Sequence, residues 1–253
     1  MKGLLIRVGL DQTFGGWNAP CSANGSFCYI PIPEVEKFEH GFETTYDEFE
    51  KAYCDFTQNN EMPAIKKTGI KSPFTLCHLD PDFRFLTYGD TRQRAQQILK
   101  YFNGSQDNFI VFYASFKQIN DNHNKPCELV YAIIGFYQVK EIVYAKNVLK
   151  ENKEERNKNA HTRLINYQQK DDIDVIIYGE PNKSGKLEKL IPIGEWRNNA
   201  YRVKTQLLDE WGDISITDGY IILSAYLPHF CRPDLFKKWF DKQNPKFLAK
   251  NNI

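Results

Sequence analysis

Two strongly β-prone runs stand close together in the middle of this chain, DNFIVFYASF at 107–116 and LVYAIIGFYQV at 129–139. Both are rich in β-branched and aromatic residues, and the polar stretch from Asn120 to Pro126 separates them. They read as a buried antiparallel pair with a long hairpin connection. Any fold for this sequence must therefore be built around a sheet. Further strands are expected at Leu4–Leu10, broken by Arg7 and ending at Asp11, at Phe27–Ile32, stopped by Pro31 and Pro33, at Ile173–Tyr178 and Tyr220–Tyr226, and in a short piece at Leu187–Ile193.

Helical signals surround these strands. Thr45 and Glu48 match a capping box before an amphipathic stretch ending near Phe56. From Thr91 onward Ala95, Ile98, Leu99 and Phe102 recur at helical intervals, and Leu235, Phe236, Trp239 and Phe240 mark a closing helix over Asp234–Phe240. Residues 145–169 read as helical, with the charge run Lys150–Lys158 as a solvated face, and 57–75 as irregular connection. The pattern predicts an α+β fold, a mixed or barrel-like sheet with flanking helices, in one continuous unit over 1–253.

The bulk properties narrow the partners. Lys plus Arg (33) nearly balances Asp plus Glu (32), so no global field attracts a long polyanion, while a local groove or a nucleotide-sized pocket stays open. The cysteines at 21, 28, 54, 77, 127 and 231 form no CxxC pair, and the start MKGLLIRVGL lacks the apolar stretch of a signal peptide. Reduced thiols in a cytoplasmic protein are expected. No stretch approaches the roughly 20 apolar residues needed to cross a bilayer, so no membrane partner is expected.

The chemistry-bearing stretch is His78–Arg92, which places one histidine, three carboxylates and two arginines in fifteen positions. Two readings compete. Asp82 and Asp90 initiate turns and cap the next helix, or the polar groups converge on a ligand. His78 and Asp80 alternate by two and would share one face of an extended segment, which suits an oriented acid/base pair or a metal, whereas Cys77 would point the other way into the core. Upstream, Thr13–Pro20 contains the paired glycines 15 and 16 and the dipeptide Trp17-Asn18, read either as an ordinary turn or as a means to stack and hydrogen-bond a planar group. Arg7, inside an apolar strand, needs a partner, with Asp11, Asp80 or a ligand anion as candidates.

Common site motifs are missing. The chain has no GxxxxGK[ST], no strand-linked GxGxxG and no GxSxG, and its cysteines lack zinc-ligand spacing. Asp80, Asp82 and Asp90 could hold a nuclease metal. His78 and Asp80 together with His161 or His229 could form a two-histidine, one-carboxylate iron site, although the flanking sequence does not otherwise resemble an iron dioxygenase. Neither is preferred, so no metal ligand is assigned and no cofactor is named. His161 itself reads as a helix-end histidine near terminal carbonyls, or as a phosphate ligand beside Arg163.

Three passages, VGLDQTFGGWNAP, HLDPDFRFLTYGDTRQRA, and DNFIVFYASF followed by YAIIGFYQV, resemble the bacterial and phage family called nucleotide modification associated domain 3 over nearly the whole chain. The resemblance implies a link to modified nucleobases in DNA and no established reaction. A more remote similarity, confined to 107–139, is to the small β-barrels of the PUA superfamily, including EVE and ASCH domains, several of which hold a modified base in an aromatic pocket. The sequence departs from the EVE pattern at Asn108, where glycine is usual, and by the insertion before Leu129.

Together these readings lead to recognition or processing of a nucleobase or nucleotide in a DNA base-modification system, the base being single-stranded or flipped. His78, Asp80 and Asp11 are the expected catalytic groups. Arg7, Trp17, Asn18, Tyr88, Arg92, Tyr113 and Ser115 are the expected nucleotide-binding groups, with Trp17 and Tyr88 stacking, Asn18 reading a base edge, and Arg7 or Arg92 neutralising phosphate. The alternatives are a noncatalytic reader with a PUA-like pocket, a metal-dependent nuclease, and a scaffold.

Overall fold

In the computed structural model, which describes residues 1–65, 76–119, 129–169, 172–222 and 226–252, the two β-prone runs pair antiparallel as expected. Numbered along the chain, the strands are β1 (Gly3–Arg7), β2 (Ala19–Cys21), β3 (Ile32–Pro33), β4 (Cys77–His78), β5 (Thr87–Thr91), β6 (Phe109–Gln118), β7 (Leu129–Tyr144), β8 (Asp174–Gly179), β9 (Gly185–Pro192), β10 (Gly194–Arg197), β11 (Ala200–Val203) and β12 (Phe247–Leu248). The helices are α1 (Asp47–Thr57), α2 (Arg92–Phe102), α3 (Lys153–Arg156), α4 (Ala160–Arg163), α5 (Thr205–Trp211) and α6 (Pro233–Lys242). The fold is α+β.

β6 and β7 organise the main sheet. One edge of β6 is taken in parallel by β1 and then β2, with Gly3 opposite Phe109 and Ala19 opposite Phe116. Beyond β6, the 16-residue β7 is shared. Its first half pairs with β9 and its second half with β8, which in turn carries β5. The partner changes between Phe136 and Val139, and register shifts lie on either side, at Ile133/Gly135 within the β9 pairing and at Val139/Glu141 where the β8 pairing begins; such bulges bend a strand and sharpen its twist. The sheet is thus splayed rather than rolled. The path β1–β6–β7–β8–β5 does not return on itself, so the mixed-sheet form of the expectation holds and no closed barrel of PUA type is formed among the described residues.

Alternate side chains of β6 enter two cores. Ile110, Phe112, Ala114 and Phe116 pack with Ile98 and Phe102 of α2 and Phe49 and Tyr53 of α1. Phe109, Val111 and Tyr113 pack on the other face with Trp211 of α5 and Phe236, Trp239 and Phe240 of α6. Both faces of the strand are covered, which is why its sequence is apolar almost throughout. At about 1.5–3 kcal/mol for each large apolar side chain removed from water, this layering is the main source of stability.

Several expectations are corrected. Phe27–Ile32 is not a strand. Phe27 makes an isolated bridge to Cys21, and only Ile32–Pro33 pairs, with Cys77–His78, because Pro31 and Pro33 remove ladder donors. The capping box does not form: Thr45 donates to Asp47, and Glu48 pairs with Arg84 at 3.1 Å. Residues 145–169 hold α3, α4 and two single 3-10 turns, because the side chains of Asn152 and Asn159 each accept a backbone N–H and restart the helix. The charge run is not wholly solvated. Arg156 is buried between the rings of Phe42 and Tyr167, at 4.6 and 4.8 Å, and pairs with Glu39. Near Tyr220–Tyr226 there is an isolated bridge from Tyr220 to Arg202 instead of a strand, with 223–225 outside the described residues. The connections 66–75 and 120–128 also lie outside them.

Part of the dense stretch at 78–92 is structural. Phe83 is fully buried, edge-on to Tyr29, Phe112 and Tyr137 at ring distances of 5.3, 5.9 and 5.9 Å. It also lies where a Cβ at position 135 would stand, so Gly135 makes room for its ring. Phe83→Ala should lower unfolding free energy by about 3–5 kcal/mol, the cost of an aromatic-sized cavity. A shift in the urea midpoint with unchanged slope is the measurement.

Candidate functional site

The pairing of β3 with β4 places His78 opposite Ile32 and brings Glu34 beside it, where its carboxylate meets the His78 Nδ1 at 2.7 Å. Two residues on, Asp80 is buried, and both of its oxygens accept the Gly89 N–H of β5 at 2.9 Å. The pairing of β5 with β8 sets Thr91 opposite Asp174, whose carboxylate meets Nδ1 of His161, on α4, at 2.6 Å. A Cβ at position 89 would stand 2.5 Å from the His161 ring, so the absence of a side chain there lets the imidazole lie flat over the strand. The Nε2 atoms of His161 and His78 then lie 3.4 and 3.8 Å from Asp80 Oδ2.

These groups line a cavity of about 320 Å³. Its wall also carries Arg7 with Asp11 and Arg94 with Asp90. Arg7 donates to the Ile222 carbonyl and pairs with Asp11 Oδ2 at 2.6 Å, while Asp11 Oδ1 accepts the backbone N–H groups of Thr13 and Phe14. Arg94 pairs with Asp90 at 2.8 Å and donates to the Tyr88 hydroxyl, which itself donates to Asp90.

Burial and charge act against each other here. Desolvation opposes a charged His161, yet the carboxylates of Asp174 and Asp80 outweigh it and raise the ring well above the ordinary histidine value. The same balance, between desolvation and the carboxylates of Asp80 and Glu34, raises His78. Asp80 is lowered, because the two imidazoles overcome the penalty of burial. The surrounding carboxylates therefore favour the charged form of both rings relative to a free imidazole. The lining as a whole contains five carboxylates (Asp11, Glu34, Glu36, Asp80, Asp90), two guanidiniums and two imidazoles, which leaves an acidic excess even when both rings are charged.

A family model described as nucleotide modification associated domain 3 matches residues 2–213. The chain belongs to that family. No curated protein and no solved structure matches it. Every residue lining the cavity falls inside the matched part of this nucleotide modification domain.

Of the residues singled out in the sequence, Arg7, Asp11, His78, Asp80 and Tyr88 line the cavity of the domain. Trp17, Asn18, Arg92, Tyr113 and Ser115 stand outside its lining. Trp17 packs edge-on against Tyr53, and the Asn18 amide donates to the Ser115 hydroxyl at 2.7 Å. The Tyr113 hydroxyl donates to the Ile221 carbonyl, and Arg92, largely exposed, pairs with Asp172. The Tyr88 ring is buried against Phe112. Asp82 takes its turn role, accepting from the backbone of Arg84 and Phe85. Asp90 does not cap α2. It is held extended in β5, and Arg94, the third residue of the helix, draws its carboxylate away.

Four ionisable residues were missed as cavity groups: Glu34, Glu36, Arg94 and His161. His161 meets neither terminal carbonyls nor Arg163, whose guanidinium goes to Asn157, Thr44 and Asp82. The pairing of HxD with His161 was the one signal in the sequence, and nothing local separated it from the pairing with His229. That histidine lies against Tyr101, away from the cavity.

The raised value of His161 has a sign. Its charged form is favoured in the folded state, so its contribution to stability is complete below the unfolded value of about 6.5 and is lost as pH rises through the folded value. Urea unfolding in chelating buffer from pH 6 upward should show stability falling on the alkaline side of the ordinary histidine range. His161→Gln should remove that component of the fall.

Proposed function

We propose that this nucleotide modification domain binds a nucleobase or nucleoside in the cavity and acts on it chemically. The observation that carries the reading is convergence. Residues 7, 11, 34, 78, 80, 88, 94 and 161, distant along the chain, meet at one concavity of about 320 Å³, at the lower end of the volumes that hold small ligands. Surface residues paired by chance do not gather this way.

The charge of the lining narrows the ligand class. Arg7 and Arg94 are each paired with a carboxylate, and the acidic excess repels a polyphosphate. Such a wall favours the hydrogen-bond donor edges of a base, its ring and exocyclic N–H groups. The reactive end is the His78–Asp80–His161 cluster, in which His78 is the most exposed member, with a side chain 20% accessible, and is the group able to exchange a proton with a ligand. A buried charged network of this kind is weak support for stability, so a chemical role explains its presence better than a structural one.

The test is a titration of modified and unmodified single-stranded oligonucleotides, nucleosides and nucleotides at two salt concentrations, with mass spectrometry of the base afterwards. Binding should depend on base identity and change little with salt, unlike that of a protein neutralising many phosphates. His78→Ala should reduce turnover or binding at least tenfold. Stability should change by no more than about 1–2 kcal/mol, since Glu34 keeps its backbone donors at Val35 and Glu36. Retention of an unchanged base would point to a reader. Base-indifferent binding abolished by salt would overturn the proposal in favour of a phosphate patch, and no binding at all would leave a scaffold.

A further inference from the structure

The two imidazoles of the cluster are held in the same manner. Each has its Nδ1 against a carboxylate that does not line up with the other ring, Glu34 for His78 at 2.7 Å and Asp174 for His161 at 2.6 Å. Each turns Nε2 toward one oxygen, Asp80 Oδ2. A carboxylate on the far nitrogen fixes the tautomer that leaves the Nε2 lone pair available, and this is the arrangement that supports metal-bound histidines. Asp80 is anchored to match: the Gly89 N–H holds both oxygens and Asn159 reaches Oδ1 at 3.4 Å, which leaves lone pairs of Oδ2 directed at the rings.

Protons alone satisfy this geometry poorly. The 3.8 Å from His78 Nε2 to Asp80 exceeds hydrogen-bond length. An ion about 2.0–2.1 Å from each ligand atom would instead set tetrahedral ligands about 3.4 Å apart, close to the observed 3.4 and 3.8 Å. All three ligand atoms already lie within 4.8 Å of one another. Charge agrees as well. With neutral rings, Glu34, Asp80 and Asp174 leave three negative charges around the cluster, and a dication offsets two of them.

We propose that His78, Asp80 and His161 form a mononuclear site for a divalent transition-metal ion, with Glu34 and Asp174 as positioning residues. Two imidazole nitrogens and one carboxylate oxygen select an ion of the zinc or ferrous type over magnesium or calcium, which prefer all-oxygen shells. Three protein ligands leave a position open toward the cavity, the hallmark of a reactive rather than a structural centre.

The test uses the full chain, stripped with chelator and titrated with Co²⁺ as a spectroscopic probe, followed by Zn²⁺ and Mg²⁺, with elemental analysis after dialysis. One Co²⁺ per chain should bind, with the intense visible bands of a low-coordinate nitrogen and oxygen site. Zn²⁺ should displace it and excess Mg²⁺ should not. His78→Ala and Asp80→Asn should weaken binding at least a hundredfold, Glu34→Gln about 10–100-fold, and His40→Ala, on the exposed surface, not at all. Thermal melts identify any variant that fails to fold, and should Asp80→Asn do so, His78→Gln and Glu34→Gln carry the result. Stoichiometric binding unaffected by the His78 and Glu34 variants, or no Co²⁺ or Zn²⁺ binding at micromolar concentrations, would overturn the assignment. No nucleotide enters the experiment, so its failure is distinct from failure of the base-binding proposal.

Discussion

Asp80 is a buried carboxylate, 8% exposed, and the organisation of this half of the molecule follows from what that demands. Removing a charged carboxylate from water costs several kcal/mol unless donors replace the lost hydration. They come from β5, through the Gly89 N–H, and from the segment of α4, through the Asn159 amide and His161, while the His78 ring stands 3.8 Å away as a nearby charge partner. Each donor is itself held by a structural pairing. β5 is zipped to β8, His78 is opposite Ile32, and Asn159 also accepts the His161 backbone N–H. One buried charge therefore ties together three segments, residues 78–80, β5 and 159–161.

The splayed sheet makes that convergence possible. Because β7 pairs with β6 and β9 over one half and with β8 over the other, the β8–β5 pair is carried beyond the doubly covered centre. There a wall can be polar. The aromatic layers on both faces of β6 provide the rigidity, and the cavity sits beside them, where Arg7 ends β1 and Arg94 opens the first turn of α2. Regular elements thus hold the His78, Arg94 and His161 side chains, while Asp80 follows directly after β4 and the loop after β1 contributes Asp11 through its own Asx-type turn.

Much of this was legible beforehand, for reasons that differ from residue to residue. The β6–β7 pair, α2, α6, β8 and β9 were readable because apolar periodicity is a local signal that burial enforces. His78 and Asp80 were readable as a pair because alternation in an extended segment places them on one face. The strand β5 was hidden, since Thr87–Thr91 contains glycine and aspartate and resembles a turn, and it becomes a strand only through β8. The expected roles of Trp17, Asn18 and Arg92 drew on residue type alone, and their side chains are instead directed to Tyr53, Ser115 and Asp172.

By itself the sequence determined the α+β class, the central antiparallel pair, the family to which the chain belongs and the two ends of the HxD motif. It also determined that Arg7 must be neutralised, and Asp11 at i+4 was one of the partners open to it. Only the tertiary structure decided that His161, more than eighty residues downstream, completes the group, that Glu34 and Asp174 orient the two rings, and that Asp90 serves Arg94 instead of the helix terminus. The reason is physical. Periodicity and spacing act over a few residues and are written locally, whereas the partners of a buried charge are chosen by which donors the packed sheet brings within about 3 Å, and the pairing of β5 with β8 sets that distance.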